Sequence, residues 1–155
     1  MTLLRWIVVV VVGLAIVAAL VLPVGPAPGF FIGGSATAAP ATWMDTSKTD
    51  EVSLKVPGTP PRVVIIWVVD HEGELYVVGS PDSGWVKMIG AGSPVDLRIG
   101  DETYALAARR FEGDPLPVLK AYVAKYEPGY PEIIAGFPEP TAAGDNFAVF
   151  HLARG

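Results

Sequence analysis

The sequence contains no cysteine. Disulfides, thiolate metal sites, iron–sulfur clusters and cysteine nucleophiles are therefore excluded from its chemistry. Basic residues are also scarce: 11 lysines and arginines stand against 16 aspartates and glutamates, for a formal net charge of −5. A nucleic-acid interface needs a basic patch, so DNA and RNA are not expected to be partners.

Charge is missing altogether between Trp6 and Met44. The run Trp6–Leu22 is continuously apolar, and as a helix it would reach roughly 26 Å, close to the thickness of a bilayer core. Backbone groups in lipid must bond internally, so the run predicts a transmembrane anchor over residues 1–24. Three prolines are expected to end this helix: Pro23, Pro26 and Pro28.

A cleaved signal peptide is the alternative, because Ser35–Ala39 resembles a signal-peptidase cleavage site and Arg5 provides a minimal positively charged n-region. The apolar run is longer than a signal core and stops well before that site, which favours an uncleaved anchor. Arg5 is the only basic residue before Lys48. The positive-inside rule therefore predicts a single-pass protein in contact with lipid, with its N-terminus cytoplasmic and its domain extracytoplasmic.

Residues 25–50 are rich in Pro, Ala and Gly and are predicted to form a linker. Within it, Gly29–Gly34 is apolar but too short to span a bilayer. Its Phe30-Phe31 pair is expected to lie at lipid headgroups or against a partner. The composition of residues 35–50 is typical of a flexible tether.

Residues 51–155 are predicted to form one small, mainly β domain. Alternating or β-branched apolar runs between Gly- and Pro-rich breaks predict six strands: 52–56, 63–69, 74–79, 95–99, 103–111 and 146–154. The run at 63–69 is apolar throughout, which predicts a central strand covered on both faces. Two short helices are predicted, at 84–91 and from Asp114-Pro115 to residue 127. This order of elements favours a small antiparallel barrel over a sandwich.

The run Arg62–Trp85, followed by Ser93–Ile99, resembles the split-barrel superfamily that binds flavins and deazaflavins. Pyridoxamine-phosphate-oxidase-like proteins and deazaflavin-dependent nitroreductases are among its members. The shared features are two strands joined by a short turn, the second ending in Val-x-Ser, then a Trp-containing helix, Pro-Val and an alternating hairpin. The resemblance covers residues 51–112 and implies a split barrel with FMN or F420 as cofactor and oxidoreductase activity.

The same resemblance implies a cofactor at the end of the second hairpin strand and the loop after it. The residues carried over by position are Val78, Gly79, Ser80, Trp85 and Lys87. Strand-end backbone can hydrogen-bond a flavin edge, an indole can stack on the ring, and a lysine can offset phosphate charge.

Two departures from the family pattern give a second hypothesis, a non-catalytic, membrane-tethered interaction module or accessory subunit. The family grips phosphate with a Gly/Ser/Thr loop carrying basic residues, whereas Pro57–Pro61 has no cation and three prolines without N–H donors. The family helix carries Asn three residues after its Trp, where this chain has Met88.

Under that hypothesis, Phe30-Phe31 and the loop Glu127–Glu139 would dock a membrane-protein partner. The alternative for the loop is that its own Tyr130, Ile133 and Phe137 pack over the barrel.

The remaining polar residues give weaker signals. His71 and His151 have no third nitrogen or sulfur donor, so no metal site is expected. Asp70, Glu72 and Glu74 are interpreted as a solvated hairpin tip, and Arg109-Arg110 as a surface pair. No catalytic motif assigns a reaction.

Overall fold

The computed structural model describes residues 2–21, 29–139 and 146–155. Its elements in chain order are α1 (Thr2–Val21), β1 (Ser35–Thr37), β2 (Glu51–Val56), β3 (Arg62–His71), β4 (Glu74–Gly79), α2 (Gly84–Ile89), β5 (Gly92–Ile99), β6 (Glu102–Arg110), α3 (Leu116–Tyr126), α4 (Pro131–Ala135) and β7 (Ala148–Arg154).

Six strands close into an antiparallel barrel in the order β2-β3-β4-β7-β6-β5, with β5 returning to β2. The closing pair runs from Leu106 opposite Arg154 to Arg110 opposite Phe150. The short strand β1 adds in parallel to β6 outside this ring. The predicted mainly β, antiparallel barrel with few helices is therefore confirmed.

The predicted strands are all present, with bounds that differ by a few residues. The first hairpin turn is tighter than predicted, because β3 continues through His71 and only Glu72 (φ 56°) and Gly73 (φ 79°) turn the chain. A positive φ at both central residues, the second of them a glycine, suits such a two-residue connection. The loop predicted at 127–139 contains the extra helix α4.

Strand β3 differs from the prediction of a strand buried on both faces. Val63, Val68 and Val69 are buried, but residues 64–67 are only half-buried. On the outer face, α3 packs against β3 only near Trp67 and Val69. Val64 and Ile66 pack against the barrel core on the other face and are still only half-buried. The continuous apolar run does not reveal how far a covering helix reaches.

Side chains from all six barrel strands fill the interior, and α2 contributes Trp85, Val86 and Ile89 to the same core. A second cluster covers the outer face of β3, β4 and β7. It is built from α3 and α4 and is mainly aromatic: Tyr76, Tyr122, Tyr126, Trp67, Tyr130, Phe111, Phe137 and Phe147.

Tyr126 connects this second cluster to the barrel backbone. Its hydroxyl accepts a hydrogen bond from the Val68 N–H at 3.0 Å. The same oxygen lies 2.7 Å from the carbonyl oxygen of Val68 and 2.8 Å from that of Asp50, and donates its single proton to one of them. The Tyr126 ring stacks on Trp67, with centroids 4.2 Å apart and planes 9° apart.

Part of the predicted linker is packed against the barrel. The backbone of Gly29 pairs with Val63, and Thr103 Oγ1 donates to the Gly33 carbonyl at 2.7 Å. Trp43 is 6% exposed and meets Tyr104 edge to face, with ring centroids 5.2 Å apart. The segment predicted to be a flexible tether, residues 35–50, thus contains strand β1 and the buried side chain of Trp43, which makes long-range contacts that local composition does not reveal.

Helix α1 has described side chains from Ile7 to Ala18, and all of them are exposed. No helix within the described residues is both long and apolar enough to cross a membrane. The predicted transmembrane anchor is thus not supported by this finding. Its predicted end at Pro23, Pro26 and Pro28 lies outside the described residues.

Replacing Tyr126 with Phe should lower the free energy of unfolding by about 1–3 kcal/mol, because the buried N–H of Val68 loses its hydrogen-bond acceptor. Tyr126 itself is 1% exposed, so water cannot replace the hydroxyl easily. The measurement is urea unfolding of the full chain in mild detergent. Tyr122→Phe is the control, since it removes a hydroxyl of the same cluster that makes none of these bonds. Equal losses in the two variants would contradict the assignment.

Candidate functional site

The residues carried over from the resemblance lie around the end of β4. Val78 and Gly79 pair with Val149 and Ala148 of β7, so their backbone belongs to the barrel ladder. Ser80 is exposed, and its Oγ accepts a hydrogen bond from the Asp82 N–H at 3.3 Å.

Trp85 lies in the barrel core. It is 8% exposed and its ring centroid is 5.8 Å from that of Phe150. A Cβ added to Gly79 would overlap Trp85 Cζ2 and would lie 2.9 Å from Val86 Cγ2. Because Gly79 has no side chain, the Trp85 indole can pack against the end of the barrel.

Lys87 points away from this packing. Its side chain is 62% exposed and its Nζ lies 3.3 Å from the Asp82 carboxylate, a surface pair of small energetic value. Of the five predicted residues, the structure thus brings the half-buried Gly79 against the buried Trp85 and leaves Ser80 and Lys87 on the surface. Val78, also half-buried, packs against the second cluster on the outside of the barrel.

A cavity of about 540 Å³ lies elsewhere, between the segment before β2, the end of β3 and the outer face of α3. Its walls are residues 43–47, Val69, Asp70, Ala121 and Lys125. This volume falls within the range of small-molecule sites. None of the residues carried over from the resemblance borders it.

Lys125 is the cationic side chain of this cavity. Its Nζ donates to the carbonyl oxygens of Thr49 at 2.9 Å and Val68 at 2.7 Å. Burial lowers the pKa of this amine, and the negative charges of Asp50, Asp45 and Asp70 oppose the shift without cancelling it. Sequence reasoning missed Lys125, because a lysine on an amphipathic helix usually faces solvent.

Trp43 forms another wall and was also missed. Its Nε1 is buried and has no hydrogen-bond partner among the described residues. The Arg154 guanidinium lies 5.3 Å from the centroid of its ring. An unpartnered buried donor is costly and is rarely found without an explanation.

Arg154 belongs to a network that holds β4, β7 and residue 40 together. It pairs with Glu74 and donates from Nε to the Pro40 carbonyl at 2.8 Å. Glu74 also lies 3.0 Å from His151 Nε2. The hydrogen bonds with His151 and Arg154 hold the pKa of Glu74 below its usual range. Glu74 is therefore not part of a solvated hairpin tip, as the sequence had indicated.

A third region, a cleft of about 400 Å³, is lined in part by Arg109, Arg110 and His151. Arg109 is exposed, whereas Arg110 is half-buried and donates to the Phe147 carbonyl at 3.2 Å. The described residues contain no group of three or more His, Asp or Glu side chains that could hold a metal ion.

The two segments predicted to dock a partner, the 127–139 loop and Phe30-Phe31, differ in how far their side chains are packed. Tyr130 donates to Asp50 Oδ2 at 2.9 Å, and Phe137 packs against Phe147 with centroids 6.1 Å apart. Tyr130 and Phe137 thus pack over the barrel, which agrees with the alternative interpretation of the 127–139 loop. Ile133, the third residue of that interpretation, is 51% exposed. Phe30 and Phe31 are 46% and 61% exposed.

Comparisons with known proteins show the fold. No protein-family model matches the chain, and no curated protein matches it in sequence. HutZ, the heme storage protein of Vibrio cholerae, is similar at a TM-score of 0.51 and 17% identity, over 72% of this chain and 86% of HutZ. A conserved hypothetical protein from Mycobacterium tuberculosis has a TM-score of 0.51 and 11% identity, over 76% and 85% of the two chains.

A NimC/NimA family protein from Clostridium acetobutylicum has a TM-score of 0.49 and 18% identity, over 66% of this chain and 73% of its own. At identities this low, similarity is evidence about the fold alone. The similarity to HutZ and to the mycobacterial protein, together with the closed six-stranded barrel, supports a split-barrel fold.

Replacing Gly79 with Ala should destabilise the protein by about 1–3 kcal/mol, because the new methyl group overpacks the core against Trp85. Gly129→Ala is the matched control, since a Cβ there would meet nothing within 4 Å. Thermal unfolding of both variants beside the parent chain makes the comparison. A harmless Gly79→Ala substitution would show that the indole is free to move away from β4.

The Glu74 network should make stability depend on pH. Because its folded pKa is lowered, Glu74 contributes stability above the usual glutamate pKa of ~4.3, and this contribution disappears as the pH falls through the lowered value. Glu74→Gln should therefore unfold at a lower temperature than the parent chain at neutral pH, and the gap should close as the pH falls below the lowered pKa of Glu74. Glu72→Gln, which alters an exposed carboxylate of the same hairpin, should show no such gap. A gap that persists unchanged in acid would contradict this role of Glu74.

Proposed function

We propose that this protein is a membrane-attached split-barrel module that binds a membrane-protein partner and carries out no flavin or deazaflavin chemistry. The observation that carries the proposal is the packing of Trp85 against Gly79. The space beside the strand end, where the resemblance implies a cofactor ring, contains the protein's own indole.

A second contact at the same end of the barrel supports the proposal. The terminal methyl of Met88 occupies the position that a Cβ on Gly58 would take. Met88 and the Pro57–Pro61 loop are the two departures from the family pattern, and they lie against each other. An apolar contact of this kind offers a phosphate neither charge nor N–H donors.

Attachment to a membrane is supported by α1. Its large apolar side chains between Ile7 and Val17 are 51% to 65% exposed, and no charged residue interrupts them. A continuous apolar surface of this kind marks contact with lipid or with another protein. We place the N-terminus in the cytoplasm and the barrel outside, following Arg5 and the positive-inside rule. Phe30 and Phe31 lie between α1 and the barrel in sequence and are the docking residues that we propose for the partner.

A second candidate function, a flavin- or deazaflavin-dependent oxidoreductase, is favoured by Arg62. Its Nη1 lies where a Cβ on Gly84 would be, at the start of α2. Gly84 lies between Ser80 and Lys87 in the sequence, and the guanidinium beside it could pair with a phosphate.

Purification of the full chain in mild detergent separates the two candidates. The proposal expects recovery from the membrane fraction as a colourless protein, together with a stoichiometric membrane protein, and no rise in melting temperature with FMN or F420. A cofactor bound to the folded state at 100 times its Kd would add about 2.7 kcal/mol, which is easily measured.

The variant Arg62→Ala is the control for the second candidate. A yellow protein, or a melting temperature that rises with FMN or F420 and no longer rises in Arg62→Ala, would establish cofactor binding and exclude the proposal. Recovery of the full chain from the soluble fraction would exclude membrane attachment.

A further inference from the structure

The cavity of about 540 Å³ beside α3 is lined by opposite charges that do not contact each other. Lys125 borders it from α3, while Asp45 and Asp70 border it from the segment before β2 and from the end of β3. The three charges interact electrostatically. Within residues 2–21, 29–139 and 146–155, however, neither of these carboxylates forms an ion pair with Lys125 or with any other cation. Both signs of charge therefore face one space without a direct partner.

The contacts of Lys125 favour the ammonium and leave one of its donors unused. Its Nζ donates to the carbonyl oxygens of Thr49 at 2.9 Å and Val68 at 2.7 Å, and lies 4.9 Å from the centroid of the Tyr126 ring. Carbonyl oxygens and the face of an aromatic ring both stabilise a positive charge. An ammonium has three N–H donors, and the part of the chain that the structure describes provides no third acceptor. Lys125 can therefore donate one charge-assisted hydrogen bond to a ligand in the cavity.

The two carboxylates have acceptor sites to spare. Asp45 Oδ1 accepts a hydrogen bond from the Ser47 N–H at 2.8 Å, and Asp70 Oδ1 accepts one from the Gly73 N–H at 3.2 Å. An ionised carboxylate has two oxygens, each of which can accept more than one hydrogen bond. Both aspartates can therefore accept hydrogen bonds from the ammonium group of a ligand.

Apolar residues form the rest of the cavity wall in large part. Trp43, Met44, Val69 and Ala121 all line it. The volume lies in the range of small-molecule sites, whose walls typically combine apolar contact with a few polar groups. A ligand that fits this cavity thus has an apolar part besides its charged groups.

We propose that this cavity binds a small zwitterion, an amino acid with an apolar side chain. The carboxylate of the ligand accepts a hydrogen bond from Lys125, its ammonium group pairs with Asp45 and Asp70, and its side chain lies against the apolar wall. A ligand with only one of the two charges leaves the opposite wall charge without a partner. It also meets a like charge in the same cavity, which disfavours binding. The inference goes beyond the proposed function and does not depend on it.

The test compares three ligands that share one apolar side chain and differ in charge. Leucine is the zwitterion, isopentylamine is leucine without its carboxylate, and isocaproate is leucine without its amine. Isothermal titration calorimetry of the full chain in mild detergent at neutral pH gives the Kd of each. We expect the Kd of leucine to be lower by about tenfold or more, because each of the other two lacks one charge-assisted pairing. No binding of leucine at millimolar concentration, or a Kd for either analogue as low as that of leucine, would overturn the proposal.

A double variant tests whether leucine binds in this cavity. Asp45→Asn combined with Asp70→Asn retains the Oδ1 acceptors for Ser47 and Gly73 but removes both negative charges, so it should weaken the binding of leucine by about tenfold or more. Asp82→Asn is the matched control, since Asp82 is an aspartate that does not line the cavity, and it should leave the Kd unchanged. An unchanged Kd in the double variant would place the binding elsewhere and contradict the proposal. The ligand series needs no substitution and decides the matter even where the double variant folds poorly.

A substitution of the lysine tests the other end of the ligand. Lys125→Gln should weaken the binding of leucine and strengthen that of isopentylamine, because it removes the partner of the carboxylate and a like charge beside the amine. Lys120→Gln, which alters an exposed lysine of the same helix, should change neither. A Lys125→Gln variant that binds leucine as tightly as the parent chain would show that Lys125 does not hold the carboxylate.

Discussion

The hydroxyl of Tyr126 completes the backbone hydrogen bonding at the point where β3 changes partners. Residues 62–67 of β3 pair with β2, and residues 68–71 pair with β4. The next pair of the β2 ladder would join Val68 to Asp50, and Tyr126 Oη contacts backbone groups of both. Without it, polar groups beneath an aromatic cluster would have no partner, and unsatisfied buried backbone groups are among the most costly defects in a fold.

The same interaction positions the cavity. Because Tyr126 is fixed at Val68, the preceding residue on α3 reaches the Thr49 and Val68 carbonyls. One face of α3 thereby seals the barrel with rings, while Lys125 at its border faces the space beneath residues 43–47. The docking of Tyr126 thus holds the neighbouring Lys125 side chain half-buried. A lysine without such a neighbour would extend its amine into solvent.

The sequence predicted the barrel strands because a half-buried strand alternates every second residue, a pattern that β5 and β6 follow closely. It failed where tertiary contacts override composition. The Pro- and Ala-rich stretch around Trp43 is ordered by Tyr104 and Arg154, which lie far away in the chain. The candidate site was missed for the same reason, since nothing local distinguishes Lys125 from Lys120. The resemblance supplied the position of Trp85 but not the direction of its ring.

A six-stranded barrel also limits where this protein can bind anything. The interior of an eight-stranded barrel is just wide enough for side chains or for one small ligand. In this six-stranded barrel the interior is filled by side chains, and Tyr104, Phe150, Leu54 and Leu97 are fully or almost fully buried. A ligand must therefore bind outside the barrel, where the covering elements leave room. At the α2 end, Trp85 and Met88 pack directly on the strands and their loop. Beside α3, the covering is incomplete and a half-buried amine lines the remaining space. Within the described residues, the space for a ligand is therefore formed by the helices and the segment that cover the barrel.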